Sequence, residues 1–223
     1  MQIAMAAEAL NTKLLQVLKL LTQGLAVTML MAAGIAAVPG LAQAIFTGIL
    51  GYIVIFMPLV LSLFLMFRME QLTTPQLKYS FWAFSISFGI SLSLIFSVFT
   101  AASIVQSLLI TTVSFGALAG WGYFTRRDLT SMGGFLFAGV IALILIGLFN
   151  IWFGSSLLQT IINVLAVGIF LGLTAYDMQQ IRNQLWANDS DLEDRVIVIG
   201  ALSLFINYIN IFVNLVQLLG NRE

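Results

Sequence analysis

The chain contains no histidine and no cysteine, and charged side chains make up only 8% of its 223 residues. Without Cys or His it lacks the usual ligands of zinc, haem and iron–sulfur clusters, any disulfide, and every nucleophilic mechanism that relies on an imidazole base. No enzymatic activity and no resident cofactor are therefore expected. Soluble domains carry about 25% charged residues, so so few charges cannot clothe a soluble surface. Nine basic and nine acidic residues cancel, and the only adjacent basic pair is Arg126 with Arg127. A phosphate backbone finds no footprint here, which excludes nucleic acid as a partner.

What is abundant is apolar surface: 61% hydrophobic residues and a mean hydropathy of +1.06. The partner this implies is a lipid bilayer. A helix crosses the hydrocarbon core with about 20 mostly apolar residues. Seven such stretches occur, at roughly 18–38, 44–67, 80–100, 102–123, 133–153, 157–178 and 197–219. The expected fold is an all-α integral membrane protein, one transmembrane domain over 1–223, with an N-terminal segment over roughly residues 1–17. A transmembrane β-barrel needs alternation in every segment, and only Phe84 to Ser93 alternates. On a helix, Ser85, Gly89 and Ser93 share one side while Ser87 and Ser91 form a second, which predicts protein packed against two faces. The first span followed by Ala42-Gln43-Ala44 imitates a signal peptide, but its length is that of a membrane span.

Lys and Arg accumulate in short cytoplasmic loops. Lys13, Lys19, Arg68, Lys78, Arg126, Arg127, Arg182 and Arg195 fall on alternate connections, and the intervening ones, Pro39–Gln43, Thr100–Ala101 and Gly154–Ser156, carry no charge. This predicts a cytoplasmic N-terminus. Seven spans place Asn221-Arg222-Glu223 outside, whereas a re-entrant last segment keeps that tail inside. Tyr79, Trp82, Trp121, Tyr123 and Trp152 stand near span ends, where amphipathic rings anchor. The spacings Ala36/Gly40, Ala44/Gly48, Gly116/Gly120 and Gly168/Gly172 predict close helix packing within the chain, with a monomer preferred to a homodimer.

Few polar groups lie at membrane depth. Asp177 is the one acidic residue within a span, and an ionisable group there is costly enough to signal function. On the last span, Ser203, Asn207, Asn210, Asn214 and Gln217 lie at i, +4, +7, +11 and +14. One helix face thus carries five polar side chains, which predicts that the seventh helix is central in the bundle. Two roles stand side by side for this stripe: interhelical hydrogen bonding and lining a pathway. Arg68, ending the second span, reads either as an interfacial residue or as a partner for Asp177. Asp189, Asp191, Glu193 and Asp194 form an acidic stretch without the Gly and terminal Glu of an EF-hand loop, and read as a solvated connection.

Three ordered motifs carry a family resemblance: Arg126-Arg127-Asp128-Leu129-Thr130-Ser131-Met132-Gly133-Gly134-Phe135-Leu136, then Leu173-Thr174-Ala175-Tyr176-Asp177, then Gly200-Ala201-Leu202-Ser203-Leu204 running to Glu223. Together they resemble the bacterial branch of the Bax inhibitor-1 family, the transmembrane Bax-inhibitor-motif proteins. The resemblance implies seven helices with the last in the middle, a bacterial cytoplasmic membrane, and a pH-dependent calcium leak near the seventh helix. It also implies two aspartates, on the sixth and seventh helices, that share protons and hydrogen-bond an arginine on the second. Asp177 matches the first aspartate and Arg68 the arginine. Asn207 stands where the second aspartate is expected, and Met57 where some members carry an acid.

The departure at Asn207 has physical weight. Two close carboxylates titrate as a coupled unit, and an amide adds no charge. Calcium takes about 6–8 oxygen ligands, so Asp177 with neutral amides offers a weak, transient contact. Weak binding suits permeation, because a conducted ion must leave. The expected function is an ion leak with Asp177, Asn207 and Arg68 as pH sensor or gate, Ser203, Asn210 and Asn214 lining the path, and calcium or protons passing. The alternative is a non-conducting regulator or scaffold with a membrane-protein partner. An intramembrane aspartyl protease needs two aspartates acting as acid and base, and only Asp177 qualifies.

Overall fold

The computed structural model describes residues 2–68, 71–187 and 190–221. Among them are eight α-helices: α1 (Gln2–Ala37), α2 (Leu41–Phe46), α3 (Gly48–Arg68), α4 (Thr74–Val98), α5 (Ala101–Phe124), α6 (Thr130–Phe153), α7 (Ser156–Ala187) and α8 (Ser190–Leu219). Six are long and apolar enough to cross a membrane, namely α1 and α4 to α8. The second expected span corresponds to α3, which carries Pro58 in its interior. Its start lies at Gly48 rather than residue 44, because the uncharged connection folds into α2 and turns at Gly40 and Gly48, both at positive φ. The first helix begins at Gln2, well ahead of the apolar run.

Large apolar side chains cover the outside: Trp152 is 86% exposed, Phe124 and Phe135 78%. In water such a surface would aggregate, and in a bilayer it is solvated by lipid tails. Enclosure differs sharply between helices. Within its apolar window α8 is 72% buried, against 11% for α6.

The described residues form two compact units, one from 2–68, 71–99, 187 and 190–202, the other from 100–186 and 203–221. In the first, α1 lies along α4. Thr28 Oγ1 donates to the Ser85 carbonyl at 2.8 Å, and a methyl group on Gly89 would meet Met31 Cβ at 2.6 Å. On the other face of α4, Ser91 Oγ donates to the Val54 carbonyl of α3 at 2.7 Å. Both small-residue faces of α4 are therefore packed, as their spacing predicts. At one end of this unit Lys13 pairs with Glu193 and Lys78 with Asp194, each at 2.9 Å, while Arg195 donates to the Leu72 carbonyl.

These contacts correct the reading of the acidic stretch as a connection between helices, while Asp194 keeps a solvated side chain, 62% exposed. The described part of it belongs to α8 from Ser190, and Glu193 and Asp194 are held by lysines from α1 and α4. Asp189 lies outside the described residues, as do Arg222 and Glu223 of the tail.

In the second unit, α5 and α7 meet at Gly122, where an added Cβ would lie 2.2 Å from the Ala175 carbonyl oxygen. Backbones this close leave room for hydrogen alone. The α6–α7 turn closes on Gly154 in the left-handed region, with Asn150 Oδ1 accepting from the Ser155 N–H at 3.1 Å. Most of the predicted glycine pairs do not make such approaches. Gly116, Gly120, Gly168, Gly40 and Gly48 have nothing within 4 Å of an added Cβ, and only Gly172 meets a neighbour, the Leu136 side chain. Spacing along a helix marks a smooth face, and which smooth face finds a neighbour is decided by the other helices.

Candidate functional site

Asp177 and Asn207 are brought together. Asn207 Nδ2 donates to Asp177 Oδ2 at 2.7 Å, at the short end of the N–H···O range. The surrounding structure fixes both helices. Two residues before Asp177, Ala175 packs on Gly122. Two residues after it, Gln179 bridges the α5–α6 connection, accepting from the Leu129 N–H at 2.9 Å and donating to the Arg127 carbonyl at 2.7 Å. One turn further on, the Arg182 guanidinium donates to the Tyr123 carbonyl and, at 3.2 Å, to that of Thr125. On α8, the Tyr208 hydroxyl pairs with Thr112 Oγ1 at 2.8 Å, and Phe205 and Ile209 are fully buried.

The remaining stripe residues behave differently. Asn210 Nδ2 donates to the Ile206 carbonyl and Asn214 Nδ2 to the Asn210 carbonyl, each at 2.8 Å. Both amides thus satisfy a donor within their own helix, and both are half-buried, as is Ser203, whereas Gln217 is exposed. Arg68 is exposed at the end of α3, where Nη1 donates to Gln71 Oε1 at 2.9 Å. Met57 is exposed.

Gln179, Gln159, Asn163 and Asn150 make contacts that the sequence did not single out. Gln179, with Arg182, holds the loop bearing Arg126 and Arg127. At the other end of α7, Gln159 Nε2 donates to Asn163 Oδ1 at 2.8 Å, and Asn150 Nδ2 donates to Gln159 Oε1 at 3.3 Å. Asn163 was legible in principle, since it precedes Asp177 by 14 residues and therefore shares its helix stripe. Among the described residues no three acidic side chains are placed to hold a metal ion, and the carboxylate of Asp177 with the Asn207 amide supplies only part of a cation's oxygen shell.

The charges that the sequence assigns to one side of the membrane gather at one end within each unit: Lys13, Lys78 and Arg195 in the first, and Arg182 against the α5–α6 connection in the second. The multi-pass, membrane-embedded character of the chain agrees with its relatives. It is 34% identical to an inner membrane protein, YbhL, of Escherichia coli K12, over 96% of this chain and 93% of that one. An uncharacterized protein of Rickettsia prowazekii is 31% identical, over 97% of this chain and 92% of its own length. An uncharacterized membrane protein of Streptococcus pyogenes is 31% identical over 67% of this chain and 66% of its own. The model of the family described as inhibitor of apoptosis-promoting Bax1 matches residues 10–223, and the chain therefore belongs to that Bax inhibitor family.

Proposed function

We propose that the protein is an ion leak of the bacterial cytoplasmic membrane, calcium-permeable, with α3 as a seventh crossing, α8 in the middle of the bundle and the N-terminus in the cytoplasm. The observation that supports this reading is the Asp177–Asn207 hydrogen bond at 2.7 Å between two membrane-spanning helices. A carboxylate at such depth is costly and serves ion pathways and proton relays in membrane proteins. Asp177 attracts the cation and Asn207 holds the carboxylate while no ion is present. Asn210 and Asn214 turn their amide donors back into the helix, which keeps carbonyl-type oxygens for a passing hard cation. Because only one member of the pair titrates, the flux follows one proton instead of the coupled pair expected of two acids.

The test is calcium flux into proteoliposomes across about pH 5 to 8, with the natural chain, Asp177→Asn and Asn207→Asp. The expected outcome is flux in the natural chain with a shallow pH response, loss with Asp177→Asn, and a steeper response with Asn207→Asp. No flux above empty liposomes in any of the three would sink the leak and favour the alternative, a non-conducting regulator of other membrane proteins.

A further inference from the structure

Three residues of α7 repeat at intervals of seven: Asn163, Phe170 and Asp177. Two turns of helix separate each from the next, so the three stand on one stripe, about 10 Å apart along the axis. The same spacing recurs on α8 between Asn207 and Asn214. Residues advancing along α8, Tyr208 then Asn221, meet α5 in descending order at Thr112 and Ser103, whereas those advancing along α7, Ala175 then Arg182, meet it in ascending order at Gly122 and Thr125, so α7 and α8 run antiparallel. Stepping seven residues back from Asp177 and seven forward from Asn207 therefore reaches the same level, which sets Phe170 opposite Asn214.

The seam between α7 and α8 thus has a polar end, an apolar middle and a second polar end. At one end stands the Asp177–Asn207 pair. At the other, Asn163 is 3% exposed and joins Gln159 and Asn150 through side-chain amides. Between them Phe170 is 8% exposed, and its own carbonyl accepts from the Thr174 hydroxyl at 2.8 Å. That bond turns the one hydroxyl at this level into the helix and away from the seam. Between the two polar clusters the ring of Phe170 is the one large buried side chain on this face, flanked by the small buried side chains of Ala166 and Thr174.

We infer that Phe170 is the barrier that closes the seam, an apolar plug separating the Asp177–Asn207 pair from an amide-lined mouth at Asn150, Gln159 and Asn163 that receives water and hard cations. Hydrophobic constrictions gate by excluding water, and a ring buried between polar clusters has the chemistry for it. The inference rests on the ion-leak reading, and adds to it the residue that holds the path shut and the group that admits the ion.

Two readouts separate the plug from the leak. In calcium flux, Phe170→Ala is expected to raise the rate about tenfold or more by opening a dewetted constriction. Leu165→Ala, on the lipid-exposed side of the same helix, leaves the rate unchanged. The second readout needs no conduction. Asn210→Cys gives a lone thiol in this Cys-free chain, and a small cationic methanethiosulfonate is applied from the side of the α6–α7 turn. The thiol is expected to be protected in the presence of Phe170 and labelled with Phe170→Ala. Should Phe170→Ala lower the unfolding midpoint so far that the protein is lost, Phe170→Val carries the same pair of measurements.

Labelling of Asn210→Cys from that side while Phe170 is in place would overturn the plug, as would a folded Phe170→Ala or Phe170→Val protein with natural flux and a protected thiol. If the plug variants expose the thiol but no protein carries calcium, the plug stands and the leak falls.

Discussion

Replacing Gly122 by alanine tests the α5–α7 crossing that positions Asp177. The added Cβ would sit 2.2 Å from the Ala175 carbonyl oxygen, against 3.4 Å or more for an ordinary contact, so about 1.2 Å has to be found. The opposing atom is backbone, which no rotamer change can withdraw, so one helix must move. Overpacking of this kind costs about 1–3 kcal/mol, offset by about 1 kcal/mol because Ala is the better helix former. A net loss of up to about 2 kcal/mol is expected. Gly116→Ala is the matched control, since nothing lies within 4 Å of its added Cβ. There only the helix propensity acts, and stability rises by up to about 1 kcal/mol. Reversible unfolding in mixed detergent micelles measures both variants. A fall at residue 122 with a rise at 116 supports the crossing, whereas equal shifts of the same sign would refute it. The displacement also moves α7 two residues from Asp177, so calcium flux should change with Gly122→Ala and hold with Gly116→Ala.

The Asp177–Asn207 bond lends itself to a double-mutant cycle of Asp177→Asn, Asn207→Leu and the pair. Hydrogen bonds between membrane helices average about 0.6 kcal/mol and reach about 1.7, and the 2.7 Å distance argues for the upper half of that range; a coupling near zero would deny the contact. Asn210→Leu should cost less than Asn207→Leu in the same assay, because the Asn210 amide donates only within its own helix. For the Lys13–Glu193 pair, whose side chains are 21% and 22% exposed, Glu193→Gln is expected to lower stability by less than about 1 kcal/mol, an effect that shrinks in high salt; salt independence would contradict an ion pair. At the start of α6, hydrogen bonds from Thr130, first its side chain and then its backbone N–H, hold the Asp128 carboxyl below its ordinary value. A depressed folded value stabilises above the unfolded one and is lost as pH falls through the folded one. Asp128→Ala should therefore unfold at a lower temperature than the natural chain near neutral pH, with the gap closing in acid; a gap that widens in acid would reverse the sign.

The sequence by itself determined the solvent and, through it, the secondary structure. With 61% hydrophobic residues and runs of span length, the backbone has to satisfy its hydrogen bonds within each segment, and helices follow. The two packed faces of α4 were equally legible, because Ser85, Gly89 and Ser93 repeat with the helix. Asp177 stood out as a lone carboxylate among apolar neighbours, and the polar stripe falls on α8, whose apolar window is 72% buried. Tertiary structure decided everything that depends on which helix lies opposite. Gly122 and not Gly116 marks the close approach, although both are glycines of one helix, because only one has Ala175 across from it. Glu193 and Asp194 became ion pairs because α1 and α4 deliver lysines to them. Asn210 and Asn214 kept their donors at home while Asn207 reached across to Asp177. Periodicity gives the face of a helix, and the partner of that face comes only from the way the other helices pack.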